Sequence, residues 1–433
     1  MTSKQEWLRR EIDAWERESL ITEQVASTLR GRYPQEGGSR RAAMIGLAAL
    51  GALLAGGGII LLLAHNWADL PRGLRVAFAL TPLISAQLLA LFGALAERSG
   101  AGWREGVGVF WTLSIGAAIA VVSQIYHISG SFDAFMLTWL ILALPVIYLM
   151  RSSLVAVLFT IGALAWACPL YDTWPRVLGY WPLTLAVVPM LIQRSRRNVF
   201  TPGLALLRWT LTLSLFIGIG ITMERLLPGL WIVVYAALCS VLFLTDLYFL
   251  RNAPSLWHRP MRIAGFVGCI VLSLILTYRW GWEDIGWRHW HHGYSAIEQI
   301  IDIAIALMLM GVAVVFGVLT RKQWRVADLF PACFFLLAIV AYALASYFDH
   351  RQFVQLLYNA FVFVFGVVLL ASGARDQSLG RVNIGMLLLA TVIVLRFFDA
   401  DLSIVLRAVV FIVLGAAFLS VNTVFSQKFR RAL

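Results

Sequence analysis

The sequence has few charged residues. Only 13% of its 433 residues are Asp, Glu, Lys or Arg, whereas 60% are hydrophobic. A soluble domain carries about 25% charged residues, so this composition excludes an ordinary soluble enzyme or binding domain. Since a helix needs ~20 apolar residues to cross the hydrocarbon core of a bilayer, and satisfies its own backbone there, the sequence predicts an all-α polytopic integral membrane protein.

Cysteines and the motifs of soluble enzymes are also scarce. The four cysteines are widely spaced, in or at the ends of apolar stretches, which fits neither a disulfide framework nor a metal knuckle. No phosphate-binding glycine loop with lysine, nucleophile elbow, HExxH motif or dinucleotide fingerprint occurs. We therefore predict no catalytic residues, no metal and no cofactor, and the sequence favours a function that is not enzymatic.

Fourteen apolar stretches are present, and they divide the chain into three parts. We expect a cytoplasmic helical hairpin over 1–42, a transmembrane domain over 43–422 and a basic cytoplasmic tail over 423–433. Because 177–192 is short and contains Pro182 and Pro189, 12 or 13 spans are the alternative. The predicted spans are 43–63, 74–95, 106–125, 134–150, 153–170, 177–192, 204–221, 230–250, 262–279, 298–319, 326–348, 353–372, 380–398 and 402–422.

The loops between these spans alternate between basic and nearly charge-free. If the N-terminus is cytoplasmic, 25 of the 35 Lys and Arg residues lie on the inner side and seven on the outer side. This bias follows the positive-inside rule and predicts that both termini are cytoplasmic. It also explains the net charge of +12: the basic residues face anionic lipid, and no nucleic-acid partner is expected.

The N-terminal segment has an amphipathic pattern. Trp7, Leu8, Ile12 and Trp15 share one helical face, and a second short helix beginning near Thr22 carries Val25 and Leu29. A helical hairpin fits this pattern. It either lies on the membrane surface or inner loops, or docks a cytoplasmic protein partner through residues 1–36.

Polar residues collect at the predicted outer face and in the outer half of the spans. Ionisable groups at membrane depth are costly and usually face protein or a water-filled cavity, so an outward-open polar cavity is one hypothesis, in which Asp302 or Asp399 pairs with Arg396 or Arg407. The alternatives are interfacial anchoring, an ion pair that locks helices together and, for Asn359 and Asn383, hydrogen bonds between helices. The candidate substrate-binding residues are His65, Asn66, Trp67, Gln124, Tyr126, His127, Asp302, Arg396, Asp399 and Arg407.

Several of these motifs together resemble a known family. A hairpin with Trp15 and Leu20-Ile21-Thr22 precedes His65-Asn66-Trp67, Pro71-Arg72, Trp103-Arg104-Glu105-Gly106 and Gln124-Ile125-Tyr126-His127. Over roughly residues 5–150 this is similar to the bacterial membrane-protein family called domain of unknown function 2157. The resemblance implies a bacterial inner-membrane protein and carries no catalytic residues with it.

Three functions remain open at this level. The first is a transporter or flippase for an unknown small molecule or lipid, with a polar cavity open to the periplasm. The second is a non-catalytic scaffold or assembly factor that docks partners through the N-terminal hairpin. The third is a membrane-embedded transferase acting on a lipid-linked substrate.

Overall fold

The structure is a computed structural model that describes most of the chain. The chain divides into two compact units, residues 1–78 and 79–433, and each is described by itself. The described residues are all helix, turn or irregular backbone, with no strand among them. They are 4–18, 20–32, 70–95, 100–171, 173, 175–197, 199–223, 229–282, 285, 296–347, 351–399, 412, 415 and 416.

The first unit contains two helices that pack against each other, α1 (Lys4–Arg17) and α2 (Glu23–Arg32). Ile12 is buried, as the sequence predicts for the apolar face of α1. In α2 the buried residue is Ala26, whereas Val25 is 46% exposed. The second helix expected after Thr22 is therefore present, with Ala26 on its buried side.

The remaining described helices, α3 to α16, follow one another along the chain. The long helices among them are apolar on all sides rather than on one stripe, which is typical of helices surrounded by other helices and lipid; the short α8 is amphipathic. The bounds are α3 Arg72–Leu95, α4 Ala101–Ile125, α5 Phe132–Met150, α6 Ser153–Ala167, α7 Tyr180–Leu185, α8 Val188–Arg197, α9 Pro202–Met223, α10 Leu230–Phe249, α11 Pro260–Ile275, α12 Ala296–Thr320, α13 Leu329–Ala332, α14 Phe334–Tyr347, α15 Arg351–Arg375 and α16 Leu379–Asp399.

Nine helices of the described part are long and apolar enough to cross a membrane, and a bent pair makes a tenth. A further apolar helix, α11, is shorter. These helices correspond to eleven of the fourteen predicted spans. The predicted first span, 43–63, lies outside the described residues, as does nearly all of the last, 402–422.

Two predicted spans are not single straight helices. Segment 177–192 forms two short helices, α7 and α8, separated at Ala186 and Val187. Segment 326–348 is bent by 50° between Ala332 and Phe334. In 326–348 a proline lies next to the bend, and in 177–192 a proline lies in the first turn of the second helix. Proline has no backbone N–H, so it cannot donate a helical hydrogen bond. Segment 177–192, the weakest of the predicted spans, is thus two short helices, whereas 326–348 is a helix pair that can form one bent span.

The two largest of six groups of buried side chains in the described part of the second unit lie in different sets of helices. One lies among α4 to α9 and includes Leu140, Ile147 and Phe159. The other lies among α10, α11, α14 and α15 and includes Trp282, Phe334 and Tyr358. Because lipid tails are as apolar as these side chains, close packing rather than removal from water is what favours such contacts in a bilayer.

At one end of the helices, a carboxylate joins three predicted inner loops. Glu105, at the start of α4, accepts hydrogen bonds from the backbone nitrogens of Ser153 (3.0 Å) and Leu154 (2.9 Å) and from the hydroxyl of Ser152. It also forms an ion pair with Arg194 (3.3 Å). A negative charge at the N-terminus of α6 compensates the unpaired N–H groups and the helix dipole there.

The same end continues through α9 to the loop after α10. Arg208 donates to the carbonyl of Val199 (2.9 Å) and to the hydroxyl of Ser195 (3.1 Å). The next residue, Trp209, donates through its indole nitrogen to the carbonyl of Trp257 (2.9 Å). The guanidinium of Arg208, which the sequence placed inside a span, is thereby anchored to the loop that precedes its helix.

Ion pairs extend this end across the C-terminal helices. The carboxylate of Asp246, fully buried on α10, accepts from Arg259 at 2.8 Å. Arg262 lies 3.4 Å from Asp328. Asp376 pairs with Arg325 and Arg381, and the hydrogen bond from Arg381 lowers the pKa of the Asp376 carboxyl below its usual value. We call the joined loops 100–105, 151–153, 194–202, 250–262, 320–328 and 375–381 the basic face.

Candidate functional site

The candidate site lies at the end of the helices opposite the basic face. Arg396, in the last turn of α16, donates through one terminal nitrogen to the carbonyl and the hydroxyl of Thr277, both at 2.7 Å. Its guanidinium carbon is 4.9 Å from the ring centre of Tyr278. A cation at the end of an apolar helix is thus held by polar groups and an aromatic face.

The backbone that receives Arg396 is irregular. α11 ends at Ile275, and the chain turns before a short 3₁₀ segment, Trp280–Trp282. The indole of Trp282 is fully buried and donates to the carbonyl of Leu276 at 2.8 Å. Irregular backbone near membrane depth is tolerated where protein or a water-filled cavity surrounds it, and here Trp282 supplies one of the missing partners.

Three polar side chains lie at the same end of α15. Gln355, Tyr358 and Asn359 are three and four residues apart, so they share one face of the helix. The Tyr358 ring lies 5.6 Å from that of Trp282. Within the described residues, the Gln355 Nε2, Tyr358 hydroxyl and Asn359 Oδ1 atoms are buried without a hydrogen-bond partner. We call Thr277, Gln355, Tyr358, Asn359 and Arg396 the far-end group.

Sequence reasoning recognised only part of this group. It identified Arg396 but not Gln355, Tyr358 or Thr277. The spacing of Gln355 and Tyr358 along an apolar helix was a signal that could have been used. It assigned Asn359 to a hydrogen bond between helices. The side-chain nitrogen of Asn359 instead donates within its own helix, to the carbonyl of Gln355 at 2.8 Å, so that expectation is corrected.

The other predicted site residues are placed as follows. Gln124, Tyr126 and His127 are exposed at the end of α4, where the His127 ring nitrogen is 2.9 Å from the Gln124 carbonyl.

Asp302 is buried on α12 and takes part in a polar or electrostatic interaction. Asp399 ends α16, and its pairing with an arginine stays a prediction. His65, Asn66, Trp67 and Arg407 lie outside the described residues.

Comparison with known proteins agrees with the helical architecture. Residues 13–156 match the family model described as predicted membrane protein (DUF2157). The match confirms the resemblance seen in the N-terminal part of the sequence, and the chain is a helical membrane protein. No curated protein and no solved structure gives a significant match. The matched residues include Glu105 of the basic face and end before the far-end group.

Proposed function

We propose that this chain is a multi-pass protein of the bacterial inner membrane, with the basic face and both termini in the cytoplasm. The excess of Lys and Arg in the loops of the basic face supports this orientation. The contacts from Glu105 to Arg194, from Trp209 to Trp257 and from Asp246 to Arg259 support it too, because they bring these loops to one side.

In this orientation the protein is a transporter or flippase whose substrate site, open to the periplasm, contains the far-end group. The observation that carries the proposal is the set of three unpartnered polar atoms at one end of α15, where the Tyr358 ring lies beside Trp282. Each buried polar group without a partner costs about 1–3 kcal/mol, and polar groups kept inside a membrane protein usually mark a substrate pathway. Arg396 adds a positive charge, which favours a substrate with an anionic group.

A labelling experiment tests whether the site opens outward. In a Cys168→Ser, Cys333→Ser background, which removes the two cysteines that are not buried, Asn359→Cys is expected to react with a membrane-impermeant maleimide in spheroplasts. Val362→Cys, one turn away on α15 and 1% exposed, is the matched control and is expected to stay unlabelled. Arg375→Cys, at the basic face, is expected to react only after permeabilisation.

Two results contradict the proposal. Labelling of Asn359→Cys only after permeabilisation reverses the orientation. Equal labelling of Asn359→Cys and Val362→Cys shows that the reagent does not report a polar site. A substrate, once found by comparing the metabolites and lipids of deleted and complemented strains, is expected to protect Asn359→Cys.

A scaffold function is the second candidate. It is favoured by the N-terminal hairpin, where Leu20 and Val25 are 67% and 46% exposed. Such exposed apolar residues on a small helical unit suit a docking surface for a cytoplasmic protein. Deleting residues 1–36 separates the candidates: transport is expected to continue without the hairpin, whereas scaffolding is expected to fail.

A further inference from the structure

A pocket opens at the basic face between α5, α8 and the start of α9. Its volume is about 140 Å³. On this measure ~10–15 Å³ hold one water molecule, so the pocket is large enough for a tetrahedral oxyanion. The lining residues are Arg104, Ile147, Tyr148, Arg151, Met190, Gln193, Arg194 and Thr201.

The charge of this pocket is one-sided. Arg104 in the first turn of α4, Arg194 in the last turn of α8 and Arg151 just after α5 line one cavity. The described lining residues include no Asp or Glu, and the nearby Glu105 is already engaged by Arg194 and by the N-terminus of α6. Like charges brought together in a partly buried space repel each other, and an anion between them removes that cost.

Two residues that line the pocket also carry hydrogen-bonding atoms without partners. Within the described part of the chain, Arg104 Nε and Thr201 Oγ1 are buried and have no hydrogen-bond partner. Buried polar atoms are nearly always satisfied by protein or by a ligand or water. A guanidinium nitrogen can only donate, so its missing partner is an acceptor, and the arginine fork is suited to phosphate oxygens.

We propose that this pocket binds a phosphate group. The wall beside the arginines is apolar, with Ile147 and Met190 buried, while Leu149 and Ile192 on the same helices are 68% and 49% exposed. A phospholipid headgroup and a soluble phosphate compound both supply the required oxygens, and basic pockets between membrane helices are known binding places for anionic headgroups. This site is separate from the far-end group and does not depend on the proposed transport function.

The test uses the purified full-length protein and thermal unfolding, because a ligand that binds only the folded state raises the unfolding midpoint. One arm places the protein in phosphatidylcholine nanodiscs with increasing fractions of phosphatidylglycerol. The other adds inorganic phosphate, with chloride at equal ionic strength as the baseline. Apparent affinities follow from the concentration dependence of the midpoint.

Arg104→Gln is expected to weaken binding about 10- to 100-fold, the loss typical of a hydrogen bond to a charged group. Thr201→Val, which keeps the side-chain shape, is expected to weaken it roughly 2- to 10-fold. The matched control is Arg251→Gln, which removes the same charge from an exposed residue of the basic face outside the pocket. If the Arg104→Gln protein does not fold, the comparison of Thr201→Val with Arg251→Gln tests the proposal.

The two arms distinguish the sources of the phosphate. A midpoint that rises with phosphatidylglycerol alone identifies a lipid headgroup, and one that also rises with inorganic phosphate identifies a soluble phosphate compound. No rise with either probe overturns the proposal. Equal rises in the Thr201→Val and Arg251→Gln proteins overturn it as well, because the response then comes from the basic face as a whole.

Discussion

Replacing Asp246 with Ala is expected to lower the free energy of unfolding by about 3–5 kcal/mol, because it leaves a largely buried arginine without its counter-charge. The Asp246 carboxylate is fully buried, and the Arg259 side chain that contacts it at 2.6 Å is 13% exposed. The pair itself adds little net stability, since both charges had to leave water. When only one partner is removed, the other charge still pays its desolvation cost and no longer has an ion pair to offset it.

Equilibrium unfolding in mixed detergent and SDS micelles measures this loss. Asp376→Ala is the matched control, because Asp376 also pairs with arginines of the basic face but its side chain is 43% exposed; the unfolding curve is expected to change little. Adding Arg259→Ala to Asp246→Ala is expected to recover part of the lost stability. Similar unfolding curves for the Asp246→Ala and Asp376→Ala proteins contradict the view that Asp246 is the buried partner of Arg259.

Replacing Gly385 with Ala is expected to destabilise the α15–α16 pair by about 1–3 kcal/mol, the usual cost of overpacking. A Cβ at Gly385 lies 2.7 Å from the backbone nitrogen of Leu370 and 2.9 Å from the carbonyl oxygen of Gly366. Both are backbone atoms, so the two helices must separate to admit the methyl group. Small residues that allow such close approach are common where membrane helices meet.

Gly380→Ala, on the same helix, is the matched control. No atom lies within 4 Å of a Cβ at Gly380, so the change is expected to be neutral, or stabilising by up to ~1 kcal/mol through helix propensity. The same SDS unfolding measurement compares the two variants. Equal stability of the Gly385→Ala and Gly380→Ala proteins shows that the helices are not in backbone contact at Gly385.

Most span positions were predictable because hydropathy is a local property. The predicted spans 74–95 and 230–250 differ by no more than two residues from α3 and α10. The break in 177–192 and the bend in 326–348 were not predicted. Proline marks both segments, but whether it interrupts, bends or starts a helix depends on which neighbours satisfy the freed carbonyls.

The candidate site was only partly predictable, because contacts between distant helices leave no periodic signal. Arg396 was recognisable as a charge in an apolar segment. Its partner Thr277 is 119 positions away in the sequence, and nothing in the residues around Thr277 indicates that contact. Asn359 was recognised as polar, but its unpartnered oxygen follows from the positions of neighbouring helices, which sequence spacing does not contain.

By itself, the sequence determined that this protein is built from apolar helices and which of its loops are basic. Each segment has these properties by itself, because charges and unpaired backbone N–H and C=O groups cost free energy in hydrocarbon. Only the tertiary structure decided that Glu105 neutralises the start of α6, and that Arg104, Arg151 and Arg194 surround one pocket. The reason is geometric: side chains from separate segments become neighbours only after the helices have packed.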